Sequence, residues 1–267
     1  MARPLTRLEK NSLWTGLGAF IMVCALIYLV LNPFPNCNVA YITLHGDVIT
    51  YGTLSDGSGS SSDTDSTASE DVTQEIRDAD SDNSIKAIVL EIDSPGGSPV
   101  GGEEIESTLK ASPKPTVALI RDEGDSAAYM AATGADKIYA NEFSNVGDIG
   151  ITSSYTDESQ QDTDEGITFN QLSIGKYKDM FDPDKSLTAD ERTLIMGELQ
   201  SDYEKFVQIV AQNRHLSIDT TTTIANGSGL TAQTALNDGL IDKIGDLSDV
   251  QTYLNGVLHK KAVMCGM

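Results

Sequence analysis

Hydrophobic residues along this chain fall into three kinds of pattern, and each predicts a different element. The first is an uncharged run, LWTGLGAFIMVCALIYLVL at 13–31. As a helix rising about 1.5 Å per residue it would reach roughly 29 Å, close to the hydrocarbon thickness of a bilayer. Arg3, Arg7 and Lys10 precede it, and the first charge after it is Asp47. The positive-inside rule then puts residues 1–12 in the cytoplasm and, past a short linker at 32–38, the rest outside it. A cleaved signal peptide is the other reading. Its apolar core would be shorter and an A-x-A-like site would follow, whereas NPFPNCN follows here. The expectation is an uncleaved single-pass anchor in the cell membrane.

The second pattern is the short continuous apolar run: SIKAIVLEID at 84–93, KPTVALI at 114–120 and DKIYA at 136–140. Such runs suit parallel strands covered on both faces. VAYITLHGDVITYG (39–52) reads as two strands about a turn at His45-Gly46-Asp47, and ITFNQLSIG (167–175) as a later strand. The third pattern has helical spacing. VTQEIRDADSDN (72–83) is a short amphipathic helix. TADERTLIMGELQSDYEKFVQIVAQNR (188–214) is a long one, with Leu194, Ile195, Leu199, Phe206, Ile209 and Val210 on its apolar positions and a capping box of Thr188 and Glu191. GLTAQTALNDGLIDKIGDLSDVQTYLNGVL (229–258) supplies two more, the second capped by Ser248 and Gln251. SDGSGSSSDTDSTASED (55–71) lacks aromatics and periodicity, and reads as a flexible acidic loop.

Without internal repeats, residues 39–267 make one α/β domain. Strand-turn-helix repetition places the SPGG turn and the Ser126 turn at the carboxyl ends of adjacent parallel strands, where open α/β sheets keep their sites. Composition narrows the function. There are 18 Lys+Arg against 40 Asp+Glu, a net charge of −22, which argues against a nucleic-acid partner because phosphates would be repelled. Cys24, Cys37 and Cys265 are too few and too scattered for a disulfide framework or a zinc site. No metal or cofactor is expected.

Three places carry candidate chemistry. Gly96-Gly97 is either a tight turn or a set of backbone N–H donors for an oxyanion. SPGGSPVGG lacks the Gly-Lys-Ser/Thr ending of a phosphate-binding loop. Ser126 is either a helix N-cap or a nucleophile. Lys176 and Lys178 are either surface charges or, if one is desolvated beside a serine, a general base. His45, His215 and His259 lack the setting of a triad base.

In order and spacing, AIVLEIDSPGGSP, SAAYMAATGADKIYAN, VGDIGI, IGKYKDMFDP and GLTAQTALNDGLID resemble the signal peptide peptidase A (protease IV) family of membrane-bound serine proteases. The resemblance covers Val39 to about Tyr253, in the family's short single-domain form. It implies the Clp protease/crotonase-like ββα superhelix, with Ser126 as nucleophile, Lys178 as general base, and an oxyanion hole from the N–H groups of Gly96 or Gly97 with Ala127. It further implies apolar peptide substrates such as signal-peptide remnants, and ring-like homo-oligomers in which serine and lysine can come from neighbouring subunits.

The chain also departs from that pattern. Ala127-Ala128 replaces the usual Gly-Gly, keeping the N–H donor. RDEGD precedes the serine, so Glu123 and Asp125 could repel acidic substrates or favour basic ones. Asp148 stands where the family has serine in Gly-Ser-Ile-Gly; near Lys178 it would oppose loss of the ammonium proton. SSYTDESQQDTDEG (153–166) replaces a more apolar segment. These departures keep open a catalytically weak homologue that binds peptides or scaffolds a membrane complex. A crotonase-like acyl-CoA enzyme is a third reading, against which the anchor and the Ser/Lys pairing count.

Overall fold

Strands form where apolar runs can be covered twice, and here they assemble the centre of a nine-stranded sheet. The computed structural model describes residues 20–23, 37–52 and 65–266. β1 (Val39–Ile49), β3 (Ala87–Gly97), β4 (Thr116–Asp125) and β5 (Lys137–Ala140) lie side by side and parallel, with β2 (Ser66–Ala68) beyond β1 and β8 (Lys243–Ile244) beyond β5. β6 (Asn145–Gly147) continues alongside the end of β4, β7 (Gly229–Thr231) pairs with it antiparallel, and β9 (Met264–Gly266) pairs with the start of β1.

Alternation along β3 explains the layers. Ile88, Leu90 and Ile92 face a core built with Val72 and Ile76 of α1 (Ser69–Ser81), Ile105 and Leu109 of α2 (Pro99–Ala111), α3 (Ser126–Ala132) and Phe206, Val207 and Val210 of α5 (Ala189–Arg214). Ala87 and Val89 face a smaller core with Val117, Leu119 and, from α8 (Leu247–Leu258), Val250 and Leu254. The chain is thus an α/β fold on a parallel sheet. The capping box of Thr188 and Glu191 starts α5 as expected.

Several expectations are corrected. Residues 39–49 form one strand, because Gly46 (φ 63°) makes a bulge instead of a turn and its register against β3 shifts there. A Cβ at Gly46 would sit 2.1 Å from the Asp65 carbonyl oxygen, so only glycine fits that close pass. The end of the acidic segment is ordered as β2 and the first turn of α1. Residues 167–175 form no strand: no neighbour pairs with them among the described residues, and Leu172 and Ile174 are 98% and 99% exposed. Helices form instead at α4 (Ser159–Glu165) and α6 (Ile218–Ile224); α7 (Ala232–Asn237) and α8 appear as expected, but α8 is capped by Asp246 with Asp249, not Ser248 with Gln251.

The cysteines need the largest correction. Cys37 and Cys265 form a disulfide across 228 residues of sequence. Spacing in the chain hides this, since β9 returns to pair with β1 (Ala40 opposite Cys265) and so brings the two ends together. The anchor assigned to 13–31 lies mostly outside the described residues. Residues 20–23 form a helical turn, and among the described residues no helix is long and apolar enough to cross a membrane.

Candidate active site

The carboxyl ends of β3, β4 and β6 converge on one cavity of about 510 Å³, lined by Gly97, Ser126 and Asp148 among others. Ser126 sits at the corner between β4 and α3. Asp125, not Ser126, is the N-cap, and Ser126 is the first helical residue at φ 49°. A non-glycine residue there is strained and must be held by its surroundings. The hold is visible in two glycines. A Cβ at Gly96 would lie 2.7 Å from the Ser126 Cβ, and one at Gly102 would lie 2.5 Å from the Ala127 carbonyl oxygen. SPGGSPVGG is therefore spaced to let β3 and α2 close on the serine corner from two sides. Tyr129 pins α3 from beneath, its hydroxyl donating to the Leu240 carbonyl at 2.8 Å.

The two candidate oxyanion glycines separate. Gly96 donates its N–H to Ser94 Oγ at 3.1 Å, and that hydroxyl in turn donates to the Gly46 carbonyl. Gly97 is the one that lines the cavity. In its parallel pairing with Val48, the Ser98 N–H donates to the Val48 carbonyl at 2.8 Å, so the N–H of Gly97 points away from β1. Ala127 adds a second N–H in the first turn of α3, where a helix has no internal acceptors.

Asp125 is buried beneath this corner. One carboxylate oxygen accepts from Asn145 Nδ2 at 2.6 Å and the other has no partner among the described residues. Burial, then the charge of Asp148 and that of Glu123, pushes its pKa up to about 6 against the pull of the Asn145 hydrogen bond. Asp148 itself sits at φ 43° and, among the described residues, forms no ion pair or side-chain hydrogen bond.

Lys178 is exposed, on the turn that follows residues 167–175, and is not among the residues that line the cavity at Ser126. Its neighbours are committed elsewhere. Lys176 pairs with Asp190 at 2.6 Å, which raises its pKa, and Lys185 pairs with Glu191 and Asp179 at 2.8 and 3.3 Å. Lys178 makes no ion pair among the described residues. Sequence reasoning missed Ser94, Gly102 and Asn145, which shape the corner; only the density of small residues around SPGG hinted at them.

A strained serine at a strand-to-helix corner, facing a cavity beside backbone donors, defines an α/β protein with a candidate serine nucleophile. Residues 108–260, more than half of the chain, match the profile of Peptidase family S49, and the chain belongs to that family. A candidate protease of Methanocaldococcus jannaschii is 33% identical over 176 residues, 65% of this chain and 57% of that protein. Protease 4 of Salmonella typhi is 30% identical over 178 residues (66% of this chain, 29% of that one), and the chloroplastic serine protease SPPA of Arabidopsis thaliana 29% over 182 (67% and 27%). These names bear out the resemblance read from the motifs. The chain matches 57%, 52% and 61% of the length of three curated relatives, little more than half of each. Among solved structures, a ClpP1 mutant from Listeria monocytogenes aligns with 78% of this chain and 92% of its own, at 13% identity and a TM-score of 0.49.

Proposed function

We propose that this chain is a membrane-anchored serine endopeptidase, built on a Clp protease/crotonase-like superhelix and acting outside the cytoplasm. The observation that carries the reading is Ser126, held at positive φ between Gly96 and Gly102 with its side chain at the cavity. Its Oγ attacks a peptide carbonyl while its proton passes to Nζ of Lys178. The resulting oxyanion receives the N–H groups of Gly97 and Ala127. Collapse expels the amine, which takes the proton, and water then releases the acyl group.

Lys178 reaches Ser126 from a neighbouring copy. Its exposure supports this, as does its place on a segment that leaves Leu172 and Ile174 uncovered. The Cys37–Cys265 disulfide supports an oxidising compartment, and the uncharged run at 13–31 supports the anchor. Membership of a peptidase family supports peptide substrates; signal-peptide remnants fit a site tethered at a bilayer. The weaker-catalyst reading draws on Asp148, whose carboxylate would keep an approaching lysine charged.

A fluorophosphonate probe tests the nucleophile. Wild type should label and Ser126→Ala should not; equal labelling removes Ser126. Lys178→Ala should abolish peptide hydrolysis. Mixing the two inactive variants should restore part of the activity if the two groups meet across subunits, and no recovery would count against that arrangement.

A further inference from the structure

The cavity beside Ser126 carries one charged side chain among its described lining residues, Asp148, and no lysine or arginine. Two of its other polar walls already have partners. The Tyr203 hydroxyl donates to the Ala225 carbonyl at 2.8 Å, and Asn226 Oδ1 accepts from the backbone and hydroxyl of Ser228 at 3.0 and 2.6 Å. Glycines and Ile151 supply much of the remaining lining. A cavity of about 510 Å³ is ample for one long side chain. Asp148 meets no cation from its own fold among the described residues, and its backbone is fixed at φ 43° just past Gly147 at φ 103°. The buried carboxyl of Asp125 already feels its negative charge.

We infer that this cavity receives a cationic side chain, lysine or arginine, from a peptide bound across Ser126, with Asp148 as the counter-charge. The inference rests on Ser126 marking where the peptide lies. It goes beyond that reading by assigning the residue beside the scissile bond, where the apolar preference implied by the family would leave the Asp148 carboxylate facing hydrocarbon. Physically, a half-buried carboxylate with no cation of its own among the described residues is costly next to an apolar side chain and is relieved by an ammonium or guanidinium.

Binding, separated from turnover, is the test. The probes are two fluorescein-labelled pentapeptides, Ala-Ala-Lys-Ala-Ala and its twin with norleucine, the same chain without the amine, in place of lysine. In the full chain carrying Ser126→Ala, the lysine peptide should bind at least about tenfold more tightly, the scale of one partly desolvated charge pair. Adding Asp148→Asn should bring the ratio to within about threefold, and asparagine accepts positive φ readily, so the corner keeps its shape. Equal affinity for the two peptides, binding of neither, or a preference that survives Asp148→Asn overturns the inference. Equal affinity would point instead to Asp148 being neutralised by Lys178 of a neighbouring copy. A wild-type chain that prefers the lysine peptide yet hydrolyses neither would remove the peptidase reading and leave this one standing.

Discussion

Replacing Asp125 with asparagine should make this protein more stable, and only above a definite pH. Asp125 is 5% exposed, with one carboxylate oxygen unpartnered, and its pKa is pushed from 3.8 up to about 6 by burial, Asp148 and Glu123. Below about pH 4 the group is protonated in both folded and unfolded chains and contributes nothing to pH dependence. Between about pH 4 and 6 the unfolded chain loses the proton while the folded chain keeps it, so stability falls as pH rises. Above about pH 6 the penalty levels off at about two pKa units, or about 3 kcal/mol. The amide of Asp125→Asn still accepts from Asn145 and carries no charge, so it escapes that penalty. Urea melts of both full chains, followed by circular dichroism from about pH 4 to pH 8, give the difference directly. It should be near zero at the acid end, grow through the titration and reach about 3 kcal/mol in favour of the variant at about pH 8. A difference that does not vary with pH, or that favours wild type at the alkaline end, would refute the account of a buried carboxyl ionised against its surroundings.

Gly96→Ala should remove activity and cost about 3 kcal/mol, because φ 105° and a Cβ 2.7 Å from that of Ser126 cannot both be accommodated; serine-probe labelling and a melt would show both losses together. Cys265→Ser should lower stability by about 2–5 kcal/mol in non-reducing urea melts, with dithiothreitol narrowing the gap to wild type. Thr188→Ala should cost about 1 kcal/mol by opening the capping box of α5, and Thr188→Ser should recover most of it.

The sheet was legible because its central strands are covered on both faces, so AIVLEI and TVALI have no polar alternation to confuse with a helix. At the serine corner the first glycine pair, Gly96-Gly97, stood out as a turn or a set of donors, but the close pass of Gly102 over Ala127 did not. What could not be read locally depends on pairing partners far along the chain. Residues 167–175 have a strand's composition but no neighbour among the described residues. Gly46 looked like a turn, and becomes a bulge because β3 runs on alongside it. Cys37 and Cys265 meet only because β9 returns to β1. Asp125 was read as a charge that could steer substrates; its burial, which follows from β6 pairing with the end of β4, was not legible. That Lys178 would be exposed and outside the lining of the Ser126 cavity was equally invisible, since spacing says which groups exist and not where the fold puts them.

The bond between Cys37 and Cys265 closes almost the whole described domain into a covalent ring. A proteolytic nick in the uncovered stretch around Leu172 and Ile174 would therefore release nothing. The two pieces would migrate as one band on a non-reducing gel and as two after reduction. With an anchor ahead of Cys37, both would also stay at the bilayer, so a cut there would leave every fragment in place.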